Sequence, residues 1–149
     1  MTDVFTKEKR SDIMSRIRSK NTQPEILLFN TVKPLWHKGY RYFKHYNKLK
    51  GKPDLAFTKH KLAVFIDSEF WHGKNFQTWR DRLPEVYWQE KIKKNIDRDY
   101  ATNHQLKKEG WQVIRIWSKD FIKDPSKYVK QIEKALYKRT VAGRSEQQF

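Results

Sequence analysis

Five consecutive apolar residues, Leu62 to Ile66, lie between Lys61 and Asp67. A strand that is apolar on both faces needs cover above and below, so this run predicts a central strand in a sheet flanked by helices. It ends abruptly in Asp67-Ser68-Glu69-Phe70-Trp71-His72-Gly73. Burying the two rings of Phe70 and Trp71 contributes roughly 3–5 kcal/mol. Consecutive side chains of an extended segment point to opposite faces, however, and cannot share one core. Either the rings pack separately or another molecule receives them.

Charge bears on which molecule that is. The 149 residues carry 33 Lys and Arg against 17 Asp and Glu, a formal net charge of +16. Such an excess opposes compaction, so a polyanion is the natural partner, with nucleic acid ahead of an anionic membrane surface. No apolar run approaches the ~18 residues of a membrane span. The first ten residues also lack the apolar segment of a secretion signal. The chain is therefore read as a soluble cytoplasmic protein without a membrane partner, associated with the nucleoid. The absence of cysteine excludes disulfides, thiol nucleophiles and thiolate metal sites. Nine Phe, seven Tyr and six Trp argue for an ordered core rather than a disordered basic tail.

Residues 1–20 read as an N-terminal arm or helix that grips DNA, with Ile13, Met14 and Ile17 at helical spacing among basic residues. A main domain is expected over 21–140 and a flexible tail over 141–149. Thr22 and Glu25 form a capping box, and the apolar residues from Ile26 to Leu35 continue a helix that stops before Gly39. This capping role alone is enough to account for Glu25. Strands are expected over 41–46, 52–57, 62–66 and 111–117. A long helix is expected from Glu85 to about Lys108, and a last helix from Asp124 to about Thr140. Trp88, Ile92, Asn95, Ile96 and Asp99 share one stripe of the long helix. A stripe that carries an Asn and an Asp is not purely a packing face. The predicted class is α/β: a mixed central sheet in which three strands pair as hairpins and the fourth returns through a helix.

Pro53-Asp54, one short turn before a strand ending in Asp67 and Glu69, has the form of a nuclease metal site. Carboxylates on neighbouring strands about 4 Å apart repel by about 4 kcal/mol at an effective dielectric of about 20. A hard cation such as Mg²⁺ removes that cost. The plain structural reading makes Asp54 a turn residue and Asp67 a strand-end cap. Position 69 is Glu where such sites carry a lysine, so another group must activate water. His72 is the nearest residue that titrates near neutral pH. Phe70 and Trp71 suit insertion between bases, where each ring returns about 1–3 kcal/mol of stacking.

These motifs together resemble the very-short-patch-repair (Vsr) mismatch endonucleases. The resemblance rests on Lys9-Arg10-Ser11 with Met14 and Ile17; Ser19 to Thr22 with Pro24-Glu25; Gly51-Lys52-Pro53-Asp54; Val64 to Asp67 with Phe70-Trp71-His72-Gly73; Trp88 with Lys91-Ile92, Lys94-Asn95 and Arg98-Asp99; and Gly110 to Ile114. It implies a restriction-endonuclease-like fold that uses Mg²⁺ to nick one strand of double-stranded DNA beside a thymine–guanine mismatch. By the same match Asp54 would bind the metal together with the Ile66 backbone carbonyl, and His72 would be the general base. Asp99 would position His72, with Asp67, Glu25 and Asn95 supporting the site. Phe70, Trp71 and Trp88 would form a wedge in the DNA, and Met14 would enter from the other groove. Arg10, Lys52, Lys91 and Lys94 would also contact DNA. The expected state is a monomer, with a protein partner or further domain available to add specificity. Family members usually hold a structural zinc through cysteines, at positions that are Glu69 and Lys74 here, so no structural zinc is expected and packing by Phe76 and Trp79 would hold the loop instead. Two alternatives stand beside this reading: a homing or restriction-type nuclease that cuts intact DNA at a specific site, and a catalytically silent DNA-binding module.

Overall fold

The computed structural model describes residues 23–69, 72–74 and 86–147. The expectations for the arm at 1–20 with Arg10 and Met14, for Thr22, for Phe70 and Trp71, and for Phe76 and Trp79 fall outside these residues. Four strands form one sheet: β1 (Phe43–Lys44), β2 (Leu55–Phe57), β3 (Leu62–Asp67) and β4 (Gln112–Trp117), in that spatial order. The first three pair antiparallel, and β4 pairs parallel to β3 from Leu62↔Gln112 through Asp67↔Trp117. The sheet is mixed, as the apolar pattern predicts, and β3 is an interior strand. Around it lie α1 (Gln23–Thr31), α2 (Lys33–His37), α3 (Val86–Lys108), α4 (Ser118–Lys123) and α5 (Pro125–Gln147).

Side-chain alternation along β3 divides the core in two. Leu62 and Val64 join Leu55, Phe57, Ile114 and Ile116 in a cluster completed by Leu28 of α1, Val32 between α1 and α2, Phe121 of α4, and Ile132 and Leu136 of α5. Ala63 and Phe65 face the other way, against Leu106 of α3 with Trp111 and Val113 beside it. Helices therefore cover both faces. Among the described residues, no helix is long and apolar enough to cross a membrane.

Several boundaries differ from the sequence reading. The first helix breaks into α1 and α2 because Pro34 has no N–H to donate and Thr31 Oγ1 binds back to the carbonyls of Leu27 and Leu28 at 2.8 and 3.1 Å. Strand β1 is only two residues long, since His45 turns to φ 47° directly after it. The β2 ladder starts at Leu55 rather than Lys52, because Lys52 adopts φ 49° and Pro53 follows it. The helix expected to stop near Thr140 continues to Gln147, so residues 141–147 are helical. No residue there breaks the helix beyond the modest cost of Gly143. The short helix α4 has no apolar periodicity of its own to announce it, yet its Phe121 is fully buried in the larger cluster. Phe121→Ala should therefore lower stability by about 3–5 kcal/mol, read as a shift in the urea unfolding midpoint with an unchanged slope.

Candidate active site

Asp54 stands just before β2, and its position is fixed from two sides. Its backbone carbonyl accepts the His45 N–H at 3.0 Å, and its carboxylate accepts the Ile66 N–H at 2.7 Å. Glu25, in the first turn of α1 and only 6% exposed, shares a hydrogen bond with it. The hairpin register continues past Lys44↔Leu55 and brings His45 opposite Asp54. His45 Nε2 is buried without a hydrogen bond and lies 3.5 Å from Glu25 Oε2, while its ring stands edge-on to Phe29 of α1. The ligand atoms of Glu25, His45 and Asp54 all lie within 4.8 Å of one another.

A second cluster joins the first at the end of β3. Asp67, His72 and Asp99 also bring their ligand atoms within 4.8 Å of one another. His72 Nδ1 is hydrogen-bonded to Asp99 Oδ2 and lies 3.8 Å from Asp67 Oδ1. Asp67 is paired with both edges of its carboxylate to Arg115 of β4, at 3.0 and 3.1 Å. Gly73 lets the turn close onto α3: its φ is +68°, and a Cβ there would meet Ile96 Cγ1 at 2.9 Å and Ile92 Cγ2 at 3.0 Å.

Burial and charge set the protonation of these groups. Burial pushes the Asp54 carboxyl up to about 7; the Ile66 N–H opposes this, while the charge and hydrogen bond of Glu25 and the charge of Asp67 reinforce it. Burial also raises Asp67, against the lowering effect of His72 and Arg115. For His72, burial works to lower the pKa, but the Asp99 hydrogen bond and the charges of Asp67 and Asp99 outweigh it and raise the imidazole above its usual value.

Most of the expected site residues assemble. Asp54, Glu25 and the Ile66 backbone come together, as do His72, Asp99 and Asp67. Asn95 lies on the same helix one turn before Asp99 and accepts a bond from Arg98 at 2.7 Å. Lys52 and Lys94 are exposed and Lys91 is half-buried. Trp88 differs from its expected place in the wedge. Its side chain, on α3, is only 1% exposed.

Polar contacts fasten the loop after β3. Glu69 accepts bonds from Ser118 Oγ at 2.7 Å and from the Lys119 N–H at 3.2 Å, satisfying open donors at the start of α4. Lys74 Nζ reaches Asp120 Oδ2 at 3.2 Å. The two positions where the resemblance places zinc cysteines thus both hold α4.

The sequence reading missed His45 and Arg115. Extending the hairpin register by one pair would have found His45. Arg115 was marked by its charge in an otherwise apolar strand, which calls for an acidic partner.

The donors around Asp54 are carboxylate oxygens and one imidazole. Buried Glu25 beside the half-buried Asp54, whose pKa is raised to about 7, together with an unbonded imidazole nitrogen, forms a set that a divalent cation would relieve. The residues fit such an ion.

The family model for DNA mismatch endonuclease Vsr matches residues 2–78. The chain is 41% identical over 145 residues to the Type II nicking enzyme V.HpaIIP of Haemophilus parainfluenzae, covering 93% of this chain and 99% of that protein. It is 40% identical over 139 residues to the Type II nicking enzyme V.NmeDIP of Neisseria meningitidis serogroup C, covering 90% of each. To the DNA mismatch endonuclease Vsr of Escherichia coli it is 29% identical over 118 residues, covering 78% of this chain and 74% of that protein. Fold, site and matches together define a DNA endonuclease of α/β architecture with the restriction-endonuclease-like arrangement. Within that class the chain belongs to the DNA mismatch endonuclease Vsr family.

The raised Asp54 pKa has a measurable consequence. A carboxyl whose folded pKa lies above its unfolded value contributes stability at low pH that is lost as pH rises, here between about 4 and about 7. Asp54→Asn, which cannot ionise, should therefore stabilise the metal-free protein by about 1–3 kcal/mol at about pH 8 and change little at about pH 4. Thermal melts at the two pH values check this.

Proposed function

We propose that this protein is a Mg²⁺-dependent endonuclease that nicks one strand of duplex DNA beside a thymine–guanine mismatch. The observation that carries the reading is the junction at the end of β3. There the Ile66 N–H holds Asp54, and the next residue, Asp67, begins the His72–Asp99 cluster. On this reading a cation site and a proton acceptor stand side by side.

Asp54, the Ile66 carbonyl and, through Glu25 and His45, the adjacent donors would hold the ion. A Mg²⁺ bound there supplies charge neutralisation at the scissile phosphate and acidifies water. His72 is the general base. Its Nδ1–H donates to Asp99, which leaves the Nε2 lone pair to take the proton of the attacking water. Asp99 stabilises the imidazolium formed and fixes the tautomer. Asn95 supports this face of α3. The wedge is assigned to Phe70 and Trp71, opposed by Met14, and phosphate contacts to Arg10, Lys52, Lys91 and Lys94. The enzyme acts as a monomer, in the cytoplasm with the nucleoid.

A second reading has specific support. The 41% and 40% identical relatives carry the name Type II nicking enzyme, whereas the mismatch endonuclease is 29% identical. In this reading the same centre nicks DNA at a defined sequence, with specificity supplied elsewhere in the protein or by a partner.

Labelled matched and mismatched duplexes, each with Mg²⁺ and with EDTA, separate the two. The mismatch reading expects nicking of the mismatched duplex alone. Equal nicking of both sinks it and leaves the sequence-directed one. In either case Asp54→Ala should abolish Mg²⁺-dependent nicking while DNA binding persists, and His72→Ala should slow the chemical step about 10²–10⁴-fold. A fully active Asp54→Ala enzyme would overturn the site.

A further inference from the structure

Arg115 has no part in the chemistry described so far, yet it contacts both elements that bring an acid to His72, β3 and α3. Along β4 it points to the same face of the sheet as its register partner Phe65, and its guanidinium lies 4.0 Å over that ring. Its Nη1 donates to both oxygens of Asp67, at 3.0 and 3.1 Å, and lies 3.6 Å from Asp99 Oδ1. Its Nε donates to Asn103 Oδ1 at 2.7 Å, one helical turn beyond Asp99 on α3. The side chain is 17% exposed. One planar group thus ties the end of β3, the middle of β4 and a full turn of α3.

This arrangement answers a specific problem. Asp67 and Asp99 both face the His72 imidazole and repel each other, and only Asp99 makes the hydrogen bond that selects the tautomer. If Asp99 rotates away, or Asp67 takes the Nδ1–H instead, the ring swings and Nε2 moves with it. A guanidinium held by stacking on Phe65 and by Asn103 cannot follow either acid, so it fixes the distance between them. Lysine cannot do the same. Its ammonium is a single mobile point of charge without the planar fork.

We propose that Arg115 is a positioning residue for the nicking reaction: by bridging Asp67 and Asp99 it fixes the His72 ring in the orientation in which Nδ1 donates to Asp99. The proposal rests on the reading of His72 as general base. A purely structural ion pair, tying β4 to α3, is the competing account.

Arg115→Lys separates them, because it keeps the cation and removes the fork. The expected result is a melting temperature near that of the parent and a kcat lower by about 10–100-fold, as for lost outer-shell partners. KM for the duplex should stay within about threefold. In the metal-free protein, the His72 Nδ1–H resonance in side-chain NMR should shift or vanish. Parental kcat, a loss confined to KM, or a fall in kcat that only tracks the folded fraction with the His72 resonance intact would each overturn the proposal. If Arg115→Lys does not fold, Asp67→Asn with Arg115→Gln removes both charges of the buried pair and leaves no lone ion. An unaltered His72 resonance in that variant also overturns it. If the parent nicks no duplex at all, the functional reading falls, while the resonance still decides whether Arg115 orients the ring.

Discussion

Leu62 to Asp67 of β3 pair in parallel register with Gln112 to Trp117 of β4, and this ladder determines where every reactive group can stand. Because the two faces of β3 carry different volumes, Leu62 and Val64 on one and Ala63 and Phe65 on the other, a slip by one residue would put misfitting side chains into both clusters. With the register fixed, alternation puts Phe65 and Asp67 on the face toward α3, together with Arg115 across the ladder. The end of the strand also delivers the Ile66 N–H to Asp54. Hydrophobic burial thus sets a polar geometry that the polar groups alone, several of them mutually repulsive, would not adopt.

The electrostatics runs against the overall balance of the chain. A protein of formal charge +16 places Glu25, Asp54, Asp67 and Asp99 in adjacent clusters, with Glu25 and Asp67 buried. The excess of basic charge favours a polyanion at the surface, while the buried acids favour a cation inside. On the proposed function, a phosphodiester over such a site would meet both signs at once: lysines along its backbone, and acids able to hold a cation at the bond to be cut.

Much of this was legible in the sequence. The doubly apolar strand gave the central position of β3, and Pro53-Asp54 ahead of it marked the carboxylate that the Ile66 N–H holds. The stripe through Asn95 and Asp99 was legible because helical spacing is a local property. Features that depend on tertiary contact were not. The resemblance puts Trp88 in the wedge, whereas in the structure it is 1% exposed on α3. His45 became visible only through the hairpin register, and α4 is too short to show a period. Glu69 looked like the mark of something missing, whereas its contacts show what it does: it holds the N-terminus of α4.

That last contact has a consequence for how the enzyme can be handled. The loop bearing His72 is fastened by a carboxylate on a helix terminus and by an ammonium–carboxylate pair, in a chain without a single thiol. Oxidants have no sulfur ligand to attack there, and chelators have no cysteine-held ion to extract. Removing the proposed ion should therefore leave this loop in place, because the contacts that fasten it to α4 involve no metal ligand.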